Sequence, residues 1–340
     1  MSVSVVIRTH DEAPRLRLTL ASLKRQERLS EVVVVDDGST DATADVIAEA
    51  ETFLPITRLR HPQARGRSAA SNAGARAASG KILIMLDGDT PVGPGFAAAH
   101  ANAHGGGDVI GRGACFNLRC TRFVYDPEQA IPFPHCQERL LRVGNAERER
   151  MRVTRADIEH NFASIERRAQ PGIYPGLGPA RLAEIEMHAL RHHPDCDVLW
   201  AAATGSNQSV RRDSFLAVGG FHEEMTINEH RELALRLTAH GSRMRPVEQA
   251  RCYHLTHRSG WRSPFEDTRW EALFWARHPL PEVALMSVLW ASLSDHPAIP
   301  PEHRILSLPA LAVAAHRARN VTARSAAEFR ASLGLKESFA

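Results

Sequence analysis

Short apolar runs near the amino terminus constrain the fold of this chain more than any other feature. Val3–Arg8, Glu31–Val35 and Ile82–Leu86 are rich in aliphatic residues with no polar alternation, which is typical of strands covered on both faces. Segments with helical spacing of apolar residues, such as the alanine-rich Ala69–Ala78, separate these runs. Strands that alternate with helices over short loops predict a doubly wound, mostly parallel α/β sheet.

Acidic residues follow two of these runs at the point where each strand ends. Asp36-Asp37 comes after the second run, and Asp87-Gly88-Asp89 follows Ile82–Leu86. Ligands of doubly wound sheets bind beyond the carboxyl ends of the strands. Two carboxylates that flank one residue can hold a hard divalent cation, which in turn bridges a diphosphate. Asp37 can accept hydrogen bonds from a nucleotide, or this segment can simply cap the following helix.

Composition excludes several classes of protein. The formal net charge of the 340 residues is +3, and no polybasic run is present, so we expect no nucleic-acid partner. Five cysteines without a CxxC pair are typical of reduced thiols in the cytoplasm. The apolar stretches Val283–Leu293 and Ile305–Ala315 are shorter than the roughly 20 residues that span a bilayer. We therefore predict a cytoplasmic protein with no integral membrane span, and we leave a homodimer open.

Four sequence blocks resemble, in order, the motifs of family 2 glycosyltransferases with the GT-A fold. They read VSVVIRTHDE, VVVVDDGSTD, GRSAASNAGARAASGKILIMLDGDT and NQSVRRDSFLAVGGFHEE. Together with the helical pattern near the carboxyl terminus, the resemblance implies a GT-A glycosyltransferase domain over residues 1–263 and a helical extension over 264–340. Within the domain, residues 1–114 would bind the nucleotide sugar. Residues 115–263 would bind the acceptor and include an irregular insertion at 115–197.

The resemblance also implies a donor site for a nucleotide-diphosphate sugar, with a UDP-sugar favoured. The residues at the matching positions are Thr9, Glu12, Asp37, Arg67, Asn72, Asp87, Gly88 and Asp89. Asp87 would bind ribose. Asp89 would ligate Mg²⁺ or Mn²⁺ together with the diphosphate, and Asp87 is a further candidate ligand. A later histidine often completes the metal site in this family; we favour His254, with His257 as the alternative.

One position departs from the family pattern. The family has Glu-Asp at the start of a helix, and its Asp is generally taken as the base that deprotonates the acceptor. The chain has Glu229 followed by His230 at these positions. His230 can be the base, since an imidazole with a pKa near 6.5 suits proton abstraction at neutral pH; Glu229 can take this role instead; or the site is impaired. We predict a base drawn from Glu229 and His230 without separating them.

These observations predict an inverting, metal-dependent glycosyltransferase. The absence of a membrane-spanning pattern favours a soluble acceptor, such as a small molecule, a glycoside or a peptide, and the Gly219-Gly220-Phe221 turn matches the family's turn beside the acceptor pocket. One alternative is a nucleotide-sugar-binding protein without transferase activity, suggested by His230. A sugar nucleotidyltransferase is the other alternative, although a glycine-rich loop usually follows its first strand, where this chain has Arg-Thr-His-Asp-Glu.

Overall fold

The structure is a computed structural model that describes residues 1–257 and 265–336. Its strands are β1 (Val3–Thr9), β2 (Leu29–Asp36), β3 (Ile56–Arg60), β4 (Ile82–Asp87), β5 (Val109–Asn117), β6 (Val124–Asp126), β7 (Ile131–Pro132), β8 (Gln170–Pro171), β9 (Gln208–Arg211) and β10 (Arg243–His254). The helices before β9 are α1 (Ala13–Leu23), α2 (Thr43–Ala50), α3 (Arg67–Ala77), α4 (Phe96–Ala103), α5 (Gln137–Leu141), α6 (Asn145–Met151), α7 (Arg155–His160), α8 (Phe162–Glu166) and α9 (Leu177–His192). The helices after β9 are α10 (Arg212–Ala217), α11 (Glu229–Ala239), α12 (Arg269–Arg277), α13 (Pro281–Ala284), α14 (Met286–Leu293), α15 (Leu308–Arg317) and α16 (Ala326–Ser332).

One large sheet organises these elements, in the order β10-β5-β9-β4-β1-β2-β3, with β8 added beside β5. The pairs β1–β2, β1–β4, β2–β3 and β5–β10 are parallel, and β9 runs antiparallel to both of its neighbours. The prediction of a mostly parallel α/β sheet is therefore confirmed. Because β1, β2 and β4 are parallel, their carboxyl ends meet at the same edge of the sheet.

Two hydrophobic layers cover the faces of this sheet, and the alternation of side chains along each strand divides the apolar residues between them. Val6 and Val33 belong to one layer, whereas Val5 and Val32 belong to the other. All four side chains are almost fully buried. Burial of both faces explains why the strand sequences are largely apolar and do not alternate with polar residues.

The insertion differs from the prediction in its helices. The sequence has a helical pattern over residues 156–168, and the structure divides most of these residues between two short helices, since α7 ends at His160 and α8 begins at Phe162. Asn161, which separates them, has φ −145°, outside the helical region. Thr154 and Asp157 form a capping box that starts α7. The strand β5 continues to Asn117, so the central sheet extends into the first residues of the predicted insertion.

The carboxyl-terminal helices share a hydrophobic core with the sheet. Trp270 and Phe274 on α12 belong to the same buried cluster as Val6 on β1. The ring centroids of Phe274 and Trp200 are 5.8 Å apart. The predicted helical extension is present. Within the predicted domain and extension, residues 258–264 and 337–340 lie outside the described residues. No described helix combines the length and the apolar character that crossing a membrane requires.

We expect Phe274→Ala to lower the free energy of unfolding by about 3–5 kcal/mol, because it empties a site in the core that α12 shares with the sheet. Val313→Ala on α15 is the matched control, since Val313 is 52% exposed whereas Phe274 is fully buried. Urea denaturation of both variants measures the difference. A loss for Phe274→Ala no larger than for the control would show that the helices do not contribute to a common core.

Candidate active site

The carboxyl ends of β1 and β4 lie side by side, because Arg8 on β1 pairs in register with Asp87 on β4. Arg8 Nη2 lies 2.6 Å from Asp87 Oδ1, and Arg8 also donates hydrogen bonds to Ser71 Oγ and Gly205 O. Burial raises the pKa of Asp87, and Arg8 opposes this shift. An arginine near the end of an apolar, doubly covered strand needs a charged or polar partner. That requirement is the sequence signal by which Arg8 could have been found.

Gly88 allows the acidic loop after β4 to lie directly against the loop after β1. A Cβ atom on Gly88 would lie 2.4 Å from Glu12 Oε1 and 3.0 Å from Thr9 Oγ1, closer than such atoms pack. Burial and the neighbouring Asp89 carboxylate raise the pKa of Glu12 well above its usual value. The structure thus brings Thr9, Glu12, Gly88 and Asp89 together in one polar layer, as a shared donor site requires.

Asp89, His254 and His257 form a group that could hold a metal ion. One ligand atom from each residue lies within 4.8 Å of the other two. His254 Nε2 is 3.1 Å from Asp89 Oδ2, and His257 Nε2 is 2.7 Å from the same oxygen. His257 therefore joins His254, although the sequence offered the two histidines as alternatives. Asp87 is not part of this group, and its role as a ligand stays a prediction.

The surroundings of His254 suit a metal ligand. Its Nδ1–H donates to the backbone oxygen of Ile173 at 2.8 Å, which directs Nε2 at Asp89 and matches the usual environment of histidine ligands. Burial lowers the pKa of His254, but Asp89 raises it by more. Burial raises the pKa of Asp89, but His254 and His257 together hold it well below its usual value. In the absence of a metal, protons on the two histidines balance the negative charge of Asp89. A divalent cation could balance that charge instead, so the residues fit the predicted Mg²⁺ or Mn²⁺.

Asp37 anchors the loop that leads into α3. Its carboxylate accepts hydrogen bonds from His61 Nδ1 at 2.6 Å and from the backbone N–H groups of Arg65 and Gly66 at 2.9 and 2.8 Å. These bonds hold the loop at the edge of the sheet where β2 ends. The predicted contact of Asp37 with the nucleotide base stays a prediction.

Asn72 on α3 holds the predicted glycine-glycine-phenylalanine turn. Its Oδ1 accepts a hydrogen bond from Phe221 N at 2.8 Å, and its Nδ2 donates to Phe221 O at 2.9 Å and to Glu223 Oε1 at 3.2 Å. A Cβ atom on Gly220, where φ is +71°, would lie 2.5 Å from Asn72 Oδ1. The side-chain amide of Asn72 is therefore engaged with the turn, and its predicted contact with the donor stays a prediction.

Glu229 and His230, the two candidate bases, begin α11. Glu229 Oε1 is 3.8 Å from Arg67 Nη2, and Glu229 Oε2 is 3.9 Å from His230 Nδ1. Burial raises the pKa of Glu229, but Arg67, followed by His230, lowers it by more, to about 2. Burial, followed by Arg231, lowers the pKa of His230 to about 3. At neutral pH the site therefore holds a carboxylate beside a neutral imidazole.

A cavity of about 480 Å³ opens beside these side chains, within the range of small-molecule sites. Arg8, Arg67, Asp87, Glu229 and His230 form part of its polar wall. Apolar residues from the insertion, the α11 region and the carboxyl-terminal helices form much of the remainder, and they include Ile173, Leu182, Ile227, Phe265, Trp290 and Leu293. The sequence did not predict that α9 and α14 reach this site, because their position depends on tertiary packing.

Comparison with known proteins identifies the family. Residues 4–151 match the family described as Glycosyl transferase family 2. The validoxylamine A glucosyltransferase of Streptomyces hygroscopicus subsp. jinggangensis is 32% identical over 251 residues, which cover 70% of this chain and 52% of that protein. The chain belongs to glycosyltransferase family 2. The predicted resemblance is thus confirmed, and this family 2 chain spans about half the length of the curated relatives it matches.

Two further comparisons agree with this assignment. The uncharacterised glycosyltransferase YfnE of Bacillus subtilis is 31% identical over 128 residues, which cover 37% of this chain and 33% of that protein. The crystal structure of TarS from S. aureus superposes with a TM-score of 0.50 and 16% identity, covering 84% of this chain and 40% of that one. This structural likeness concerns the fold alone, and it supports the GT-A architecture predicted for this family 2 member.

We expect Gly88→Ala to destabilise this family 2 chain by about 1–3 kcal/mol, because the added methyl group displaces Glu12 and Thr9 from a tightly packed layer. Gly105→Ala is the matched control, since a Cβ atom on Gly105 meets nothing within 4 Å. Urea denaturation of both variants gives the free energies of unfolding. Equal values would contradict the close approach of the two loops.

Proposed function

We propose that this chain is an inverting glycosyltransferase that moves a sugar from a nucleotide-diphosphate donor, with a UDP-sugar favoured, to a small soluble acceptor. The observation that carries this proposal is the position of the Asp89–His254–His257 group next to the cavity. Asp87, two residues before Asp89, lines the cavity, and His254 is hydrogen-bonded to Ile173 in its wall. A cation site and a sugar-sized cavity that share a wall suit a diphosphate and the sugar attached to it.

Asp89, His254 and His257 would hold the cation, whose chemistry is to neutralise the charge that develops on the leaving diphosphate. Two imidazole ligands favour Mn²⁺ over Mg²⁺, because Mg²⁺ prefers oxygen ligands. Arg8 and Arg67 line the cavity beside this group. Their guanidinium groups are suited to hold phosphate oxygens.

The reaction is a direct displacement at the anomeric carbon of the donor sugar. The acceptor oxygen forms the new bond from the side opposite the diphosphate, the bond to the diphosphate oxygen breaks, and the configuration inverts. The acceptor proton passes to a base from the Glu229–His230 pair. Arg67 keeps the pKa of Glu229 low. When the phosphates of the donor bind Arg67, their negative charge offsets that of the guanidinium, so the pKa of Glu229 rises and the carboxylate becomes a stronger base.

The acceptor proposed here is small, and one of its faces is apolar. The cavity of about 480 Å³ must also take the donor sugar, and Leu182, Ile227 and Trp290 form an apolar part of its wall. The Streptomyces relative is named as a glucosyltransferase of validoxylamine A, which supports a soluble small-molecule acceptor. A peptide or glycoside that presents one hydroxyl group to Glu229 also fits this description.

The first test measures the thermal unfolding midpoint with UDP, GDP, dTDP or NAD, each with and without Mn²⁺. We expect one nucleoside diphosphate to raise the midpoint only when Mn²⁺ is present, because a ligand at about 100 times its Kd stabilises the folded state by about 2.7 kcal/mol. Asp89→Ala should abolish this shift. Asp195→Ala removes an exposed carboxylate outside the site and should respond as the wild type does.

The outcome also separates a transferase from a protein that only binds the donor. Release of UDP from UDP-glucose in the presence of acceptor candidates measures turnover. No shift with any diphosphate, in protein shown to be folded, would contradict the donor site. A metal-dependent shift without turnover toward any acceptor or water would support binding without transfer and contradict the proposed activity.

A further inference from the structure

A buried carboxylate from the inserted helix α9 joins two arginines in the cavity wall. Glu186 Oε2 accepts a hydrogen bond from Arg112 Nη2 on β5 at 2.5 Å, and Glu186 Oε1 accepts one from Arg231 Nη2 on α11 at 2.8 Å. All three side chains are at most 10% exposed. A buried arginine needs such a partner, and Glu186 is the carboxylate that holds Nη2 of the Arg231 guanidinium.

Arg231 in turn contacts the histidine that replaces the family's catalytic aspartate. Its Nε donates to Ala201 O at 2.8 Å, and its Nη1 lies 3.0 Å from Asn228 Oδ1 and 2.9 Å from His230 Nε2. A guanidinium group can only donate hydrogen bonds. His230 Nε2 must therefore be the acceptor, and the hydrogen of the neutral ring must lie on Nδ1.

This arrangement leaves different roles for the two candidate bases. The lone pair of His230 is already used by Arg231, whereas His230 Nδ1 and Glu229 Oε2, 3.9 Å apart, have no hydrogen-bond partner among the described residues. The charged groups around His230 are Arg231 and Glu229 on its own helix, Arg67 on α3 and Arg8 on β1. Burial and the three cations oppose a second proton on the ring, and together they outweigh Glu229, the one anion, which favours it.

We propose that Glu186 is a positioning residue that acts through Arg231 to fix the Nδ1–H tautomer of His230. His230 then donates a hydrogen bond to a substrate oxygen and does not take up a proton. Glu229 is left as the carboxylate that accepts the acceptor proton. This inference rests on the proposed transferase function and deepens it, because it assigns separate roles to Glu229 and His230.

The ¹⁵N chemical shifts of the His230 ring in the free wild-type protein test the tautomer directly. We expect Nδ1 to carry the proton and Nε2 to be unprotonated, with the signals assigned by their loss in His230→Asn. In Glu186→Gln and Arg231→Leu, the restraint on Nε2 is weakened, so the Nε2–H tautomer becomes measurable. Glu184→Gln, on the exposed face of the same helix, should leave the shifts unchanged.

Release of UDP from UDP-glucose, with water as the acceptor, tests the division of roles. Glu229→Gln should lower kcat by about 10²–10⁴, the usual contribution of a general base. The kcat of His230→Asn should stay within about tenfold of the wild-type value. The asparagine amide N–H lies close to the position of Nδ1–H, so it can donate the same hydrogen bond, but it cannot act as a base. Glu186→Gln should lower kcat by about tenfold with little change in the KM for UDP-glucose, and Glu184→Gln should be unchanged.

Two results would overturn the proposal. The first concerns the tautomer: either the wild type carries the proton on Nε2, or the ¹⁵N shifts of His230 are the same as in the wild type in both Glu186→Gln and Arg231→Leu. The other is a loss in His230→Asn as large as that in Glu229→Gln, which would make the imidazole the base. Both the shifts and donor binding can be measured without an acceptor. A protein with the expected tautomer that binds no nucleoside diphosphate would therefore contradict the proposed function and leave the arrangement of Glu186, Arg231 and His230 supported.

Discussion

The ion pair between the buried Arg8 and the partly exposed Asp87 is the interaction on which the rest of the site depends. It joins the carboxyl ends of β1 and β4, and Arg8 also reaches the backbone of Gly205 in the segment before β9. Three stretches that are distant in sequence are thereby held at one edge of the sheet. Removal of Asp87 would leave the buried guanidinium of Arg8 without its carboxylate, and an unpaired buried charge is destabilising. The same pair therefore stabilises the fold and orients the acidic loop.

A second set of buried charges extends this polar layer away from the sheet edge. Glu186 on α9 links Arg112 on β5 to Arg231 on α11. Arg231 Cζ lies over the ring of Trp290 on α14, 5.3 Å from the ring centroid. This cation–π contact adds to the ion pair of Arg231 with Glu186. The insertion and the carboxyl-terminal helices thus contribute charged and aromatic groups to the site, besides covering the sheet.

The sequence predicted the parts of this molecule that local pattern determines. The largely apolar strands predicted the doubly wound sheet, and strand-end carboxylates predicted Asp87 and Asp89 at its edge. The group of Asp89 with His254 and His257 brings together the loop after β4, the end of β10 and the segment that follows β10. Which histidine would reach the carboxylate could not be decided from spacing, because that depends on the path of β10 across the sheet. Glu186 carried no sequence signal, since an isolated glutamate on a helix is usually solvated.

The departure at His230 is easier to understand from its neighbours than from the residue alone. An aspartate there would be a second anion near Arg67 and Arg8, the two arginines that now act on Glu229. A histidine among these cations is kept neutral, because burial and the adjacent Arg231 oppose its protonation. The replacement therefore removes one negative charge from the cavity wall and adds one hydrogen-bond donor. A carboxylate beside an N–H group is a complementary pair for one hydroxyl oxygen and its proton, which is the pair of groups that the proposed transfer requires.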